Sequence, residues 1–315
     1  MKRFFQKLSL LGLLFGGIML SFVLLLSVSL HMRRDDYLMA FFVKREMLIE
    51  KHRQKTPSII LLGGSNVAYG FNSGVLRDSL NMPVINTGIG AGIGLKFMLD
   101  NTSKYLTEGD ILVIAPEYVH FFGNSAYGNT DLAQLLYIDW SLCENFHAKQ
   151  AKAVIFGTKN LVRDYLLLSP LKRESKKLIF KLSDFNRYGD MAAHWTMQPL
   201  PYEHASPGEF KTVNTSFLDY YEHAVEALRN RGVQVVIIPP SFSETSYRNM
   251  ETKLIPLFAE LEKRNLAFAI PPQEAAYPDS LFFDTHYHLG YEGVMIRTNR
   301  LVNLLLLNGK TYLHR

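Results

Sequence analysis

Cysteine is almost missing from this chain. Cys143 stands alone among 315 residues, so no intramolecular disulfide can form. It belongs to no recognisable motif and reads as a buried, inert thiol rather than a nucleophile. Internal repeats and low-complexity segments are absent, which excludes a repeat architecture. Charge of one sign is also scarce. Thirty-four Lys and Arg stand against 29 Asp and Glu, for a net charge of +5. The basic residues form nothing larger than small groups such as Lys172-Arg173 and Lys176-Lys177, without the clustered, aromatic-interleaved face that nucleic acid requires. A dinucleotide fingerprint is lacking too. The glycine run from Asn86 to Gly94 reads Gly-x-Gly-x-Gly-x-Gly, and no register yields Gly-x-Gly-x-x-Gly. No nicotinamide or flavin cofactor is expected.

One stretch lacks charge altogether. Leu8 to Leu30 is uninterrupted by any ionisable side chain and exceeds the roughly 20 residues needed to cross a bilayer as a helix. It is longer than the apolar region of a cleaved signal peptide, and Ser27-Val28-Ser29 only weakly imitates a cleavage site. Lys2, Arg3 and Lys7 favour a cytoplasmic tip, against Arg33, Arg34, Lys44 and Arg45 on the other flank. Asp35 and Asp36 count for little in this balance. The reading is a cytoplasmic tip and signal anchor over 1–31, a partly helical stalk over 32–56, and an extracytoplasmic domain over 57–315. In the stalk, Tyr37, Phe41 and Leu48 recur at helix-like spacing.

From Pro57 a strand–helix rhythm begins. Ser58–Leu62, Pro83–Asn86, Ile111–Ala115, Val233–Ile238 and Leu266–Ile270 are short apolar runs of the kind buried on both faces of a sheet. Leu95–Tyr105 reads as a helix between two of them. Another helix starts near Ser216 as its cap, carries a stripe of Phe217, Tyr220, Ala224 and Leu228, and ends before Gly232. The last runs from about Gly293 to Leu307, with Arg297 and Arg300 as a solvated face and Lys310–Arg315 as a frayed tail. The pattern predicts an α/β fold with a mainly parallel five-stranded sheet. About residues 124–212 break the rhythm and read as an insertion able to cover the site. Within it, His194, Trp195, Tyr202 and His204 read as loop aromatics.

In such a sheet, ligands bind beyond the carboxyl ends of the strands. Ser65 follows the first strand after Gly63-Gly64, the Asn86–Gly94 run follows the second, and Glu117 the third. Asp284, His286 and His288 lie between the fifth strand and the last helix. A serine needs an oriented base to become a nucleophile, and all these segments fall on one rim. Asp284, His286 and His288 could instead form a metal site, but a catalytic one wants three first-shell ligands with an open position, and it would leave Ser65 without a role.

Gly63-Gly64-Ser65-Asn66 resembles the first block of SGNH (GDSL) hydrolases, and Asp284 through His288-Leu289-Gly290-Tyr291-Glu292-Gly293 resembles their last. The resemblance spans 57 to about 307. It implies a flavodoxin-like three-layer sandwich, with Ser65 as nucleophile, His288 as base, Asp284 as its orienting acid and His286 as a neighbour. The family's oxyanion hole would take the Ser65 amide and that of Gly88 or Gly90. The Asn that ends its third block is replaced by Glu117, in Ala115-Pro116-Glu117-Tyr118. Asn66 and Asn124 are further candidates for the site lining.

The resemblance implies serine-dependent acyl transfer on an extracytoplasmic glycan or cell-envelope polymer, by an O-acyltransferase or an O-acyl esterase. A multi-spanning membrane acyltransferase is the implied partner. A glycan-binding or assembly module that retains the fold without catalysis stays open beside this reading, and neither uses a cofactor.

Overall fold

The computed structural model describes residues 1–31, 37–144, 146–162 and 180–312. Arg33, Arg34, Asp35, Asp36, the pairs Lys172-Arg173 and Lys176-Lys177, and the end of the tail lie outside the described residues.

The first helix, α1 (Lys2–His31), contains a stretch, Arg3–Leu25, long and apolar enough to cross a membrane. The region read as a stalk is folded onto the domain. Its helix α2 (Ala40–Gln54) buries Lys44, Leu48 and Lys51, spaced four and three apart along one face. Lys51 forms a buried ion pair with Asp110, and Lys44 Nζ donates to the Gly88 carbonyl. Sequence spacing alone does not show this docking, because two of the four buried residues, Ala40 being the fourth, are lysines whose aliphatic stems are buried along with their heads.

Four parallel strands, β1 (Ile59–Gly63), β2 (Val84–Asn86), β3 (Ile111–Ala115) and β4 (Gln234–Ile237), form one sheet in the order β2-β1-β3-β4. Every residue of β1 and β3 is buried. Alternate residues serve opposite cores, as the two-residue period of a strand requires. Ile60, Leu62, Leu112 and Ile114 pack with α5 (Leu95–Ser103) and α8 (Thr215–Asn230). Ile59, Leu61, Ile111 and Val113 pack with α4 (Ser73–Leu80) and α10 (Tyr291–Tyr312).

The fifth apolar run, Leu266–Ile270, is not a strand. Its one ladder-like bond is Ala269 N–H to Ile237 O at 2.7 Å, and Pro271-Pro272 then removes two backbone donors. A two-stranded parallel pair, β5 (Phe242–Ser243) and β6 (Ala276–Tyr277), lies apart from the main sheet. The cap of α8 also differs from the sequence reading. Asn214, not Ser216, accepts from the Phe217 amide, at 3.0 Å.

Strand order reverses between β2-β1 and β3-β4, and in such a sheet ligands bind outside the carboxyl ends of the strands at that point, here β1 and β3. The region 124–212 contributes α6 (Thr130–Ile138) and α7 (Ala148–Val162). Its later part runs along β2, where the Asn86 amide donates to Tyr188 O at 2.8 Å.

Candidate active site

Ser65 opens a single helical turn, α3 (Ser65–Ala68), directly after β1. Both preceding glycines are sterically required. A Cβ on Gly63 would collide with Ala115 O of β3, and one on Gly64 with the Glu117 carboxylate. The turn is held from below by Asn86, whose Nδ2 donates to Val67 O at 3.0 Å and to Asp190 at 2.8 Å.

Asp284 and His288 come from a loop that closes on itself. The His288 amide donates to Thr285 Oγ1 at 3.1 Å, and the Phe283 amide to His288 O at 2.8 Å. Within it, His288 Nδ1 pairs with Asp284 Oδ1 at 2.7 Å. A proton on Nδ1 facing the carboxylate leaves Nε2 as the basic nitrogen. The Tyr69 ring stacks on the imidazole, with centroids 3.9 Å apart and planes 5° from parallel. His286 turns elsewhere: its Nδ1 lies 3.0 Å from Glu203 O and its ring meets Phe242 edge-on. Among the described residues no group of three His, Cys, Asp or Glu is placed to hold a metal ion.

Glu117 occupies a central position. It is buried, and its Oε1 accepts from the Ser65 hydroxyl and the Asn66 amide, each at 3.1 Å. The serine therefore donates to Glu117, and among the described residues no hydrogen bond joins it to His288. Asn66 is fully buried and donates to Ala115 O at 3.0 Å. Its backbone and side-chain oxygens accept from Arg297 at 2.7 and 3.1 Å.

Arg297 is the residue that the sequence reading misplaced. It is buried rather than solvated, lies over the Phe71 ring and also donates to Ser241 Oγ. Burial pulls its pKa down to about 10. The signal was present: Val294, Arg297, Thr298, Leu301, Val302 and Leu305 repeat at the spacing of a buried helical stripe. Arg300 lies over the Tyr277 ring and bonds the Glu274 carbonyl.

Of the backbone donors expected to face an oxyanion, the Gly88 amide is already used, donating to Asn86 Oδ1 at 2.9 Å. The Ser65 and Gly90 amides carry no hydrogen bond among the described residues. Asn124 is exposed on the wall of a neighbouring cleft and makes no hydrogen bond to Ser65 or Glu117.

Two aromatic groups complete the surroundings. The Tyr37 hydroxyl is buried without a hydrogen-bond partner among the described residues. Burial, then the nearby Glu117, Asp131 and Asp284 carboxylates, push its pKa far above the usual tyrosine range. His194 is buried against Tyr69, with Nε2 2.8 Å from Leu289 O, and desolvation lowers its pKa to about 4. It is uncharged at neutral pH. Trp195 packs against Tyr291, and the Tyr202 hydroxyl donates to Asp279 O at 3.2 Å.

No protein-family model matches this chain, and no curated protein matches it either.

Proposed function

We propose that the chain is a membrane-anchored serine acyl-transfer enzyme with the flavodoxin-like sandwich of SGNH hydrolases. The observation that carries the proposal is the Asp284–His288 pair, at 2.7 Å, stacked on Tyr69 of the turn that Ser65 opens. That arrangement supplies an oriented imidazole stacked on the residue that ends the serine's own turn, at the switch point of a parallel sheet.

In the proposed step, Ser65 Oγ bonds to an ester carbonyl carbon while its proton passes to His288 Nε2. Asp284 stabilises the imidazolium, and the Ser65 and Gly90 amides receive the oxyanion. Collapse breaks the bond to the leaving oxygen, which takes the proton from His288. Water or an acceptor hydroxyl then repeats the sequence on the acyl-serine. Glu117 must give up the Ser65 hydroxyl for this to happen, since that hydroxyl has a single proton, which now faces the carboxylate and must pass to His288.

The anchored arrangement supports an extracytoplasmic glycan or envelope polymer as substrate, with a multi-spanning acyltransferase as partner. A second reading, a non-catalytic glycan-binding or assembly module, draws support from the Ser65–Glu117 hydrogen bond, which leaves the serine unattached to its base.

The test is fluorophosphonate labelling and nitrophenyl acetate hydrolysis by the detergent-solubilised full chain, beside Ser65→Ala and His288→Ala. Labelling and hydrolysis lost in both variants are expected. A folded parent that neither labels nor hydrolyses would support the binding module.

A further inference from the structure

Helix α1 packs against α6 of the domain. Val23, seven residues before the uncharged run ends at Leu30, packs against Ala133 and Tyr137 of α6 and Leu161 of α7. If α1 crosses a bilayer, as the preceding reading holds, α6 and α7 meet it within about 10 Å of where the hydrocarbon ends, at the depth of the boundary between acyl chains and headgroups.

The outward side of α7 suits that position. Lys152, Ile155, Phe156 and Lys159 are exposed at intervals of three, one and three, a single helical face. Ile155 is 70% and Phe156 59% exposed, a heavy apolar load for a face in water. The helix carries no carboxylate from Ala148 to Val162. Trp140, 49% exposed, packs on Tyr137 and so stands beside the Val23 contact. Lys149, Lys152, Lys211 and Phe156 also line a cleft of about 460 Å³. Lysines flanking large apolar side chains characterise helices lying in the membrane interface, and tryptophan concentrates at that depth.

We propose that the α7 face and Trp140 dock on the headgroup layer of a membrane rich in anionic phospholipid, laying the domain down beside its own anchor. The lysines meet lipid phosphates while Ile155 and Phe156 enter the boundary with the acyl chains. The cleft, which shares Ala91 with the turn packed against Gly64, then opens at headgroup height.

The test uses the full chain carrying Cys143→Ser, with a spin label at Phe156→Cys, in nanodiscs of mixed phosphatidylglycerol and phosphatidylcholine or of phosphatidylcholine alone. Reference labels sit at Glu251→Cys, exposed on α9 (Glu244–Lys263), and at Leu14→Cys in α1. In the anionic discs, accessibility to an aqueous nickel chelate at 156 falls several-fold below that at 251. In phosphatidylcholine it returns to the level at 251. Equal accessibility at 156 and 251 in anionic discs overturns the docking. So does identical shielding in both lipids, which means that the chain covers its own face. Dipolar broadening that grows with protein density assigns the face to a second copy and also overturns it. A lipid-exposed label at 14 with a wet 156 rejects the docking alone, whereas a wet label at 14 rejects the anchor and the docking together.

Discussion

The Tyr69 ring lies flat on the His288 imidazole, 3.9 Å away, and the Tyr69 amide donates to Ser65 O at 2.9 Å. One residue thus joins the backbone of the candidate nucleophile to the face of its candidate base. Stacking constrains ring rotation while leaving both nitrogens free for hydrogen bonds in the ring plane. Tyr69→Phe keeps the stack and is expected to retain ester hydrolysis close to the parent. Tyr69→Ala removes it and lowers kcat/KM by about tenfold, the equivalent of a stacking energy near 1.4 kcal/mol. Steady-state kinetics of the two variants check this.

Asp284→Asn places an amide opposite His288 Nδ1 and favours the wrong tautomer. The expected loss in kcat is about a thousandfold, within the range for a mispositioned general base. The measurement is kcat with circular dichroism alongside, because the loop also depends on Thr285 and keeps its backbone bonds in the variant.

Glu117→Gln separates two roles for the carboxylate. Glu117 puts negative charge beside the oxygen that must become nucleophilic, and repulsion between like charges at such distances amounts to about 4 kcal/mol near a protein surface. Gln keeps an accepting oxygen for Ser65 and adds a donor. Fluorophosphonate labelling is expected to speed up by at least about tenfold. A large loss of labelling would instead make Glu117 the base.

Arg297→Met leaves the two Asn66 oxygens and the Pro239 carbonyl in the interior without their cationic donor. Bonds to a charged donor contribute about 1.5–3 kcal/mol each, so a loss of about 3 kcal/mol or more in unfolding free energy is expected. Chemical unfolding in detergent measures it. Arg300→Met, at the exposed end of the same helix face, changes stability by less than about 1 kcal/mol.

Lys44 gives the fold a pH dependence. Burial pulls its pKa down to about 7 from 10.5, with Asp190 opposing. An unfolded lysine keeps its proton to near 10, so across this window the unfolded chain binds more protons than the folded one. Stability therefore rises from pH 7 to 9.5, on the order of 3 kcal/mol at 1.4 kcal/mol per pH unit, and is lost as pH falls back to 7. Lys44→Met is expected to remove that rise, as unfolding at the two pH values will show.

Four of the five apolar runs are strands, because a continuous run of β-branched and aliphatic residues suits a site buried on both faces wherever it sits. The run at Leu266 is apolar too, but two of its five residues are alanine and only Ile270 is β-branched. It fails at the sheet edge, where its alternate residues Ala267 and Ala269 face solvent and only one ladder bond forms. Periodicity also marked the amphipathic helices, though not which polar residue caps α8. The docking of α2 and the burial of Arg297 were missed for a common reason: a charged side chain in a helical pattern reads as solvated until its partner is known.

What the sequence by itself determined is local. It set the strand–turn–helix at Ser65, through two glycines that the close strand and carboxylate require. It also set the Asp–His loop, whose members lie four residues apart, and the apolar length of α1. Only the tertiary structure decided what those groups touch. Ser65 meets Glu117 across 52 positions and Asn66 meets Arg297 across 231. The Gly88 amide is taken by Asn86, and Tyr37 is carried to the site by the short turn that leads into α2, a segment that spacing alone detaches from the domain. Hydrogen-bond partners at such separations depend on which strands become neighbours, and the order β2-β1-β3-β4 is a property of the packed sheet and not of any one segment.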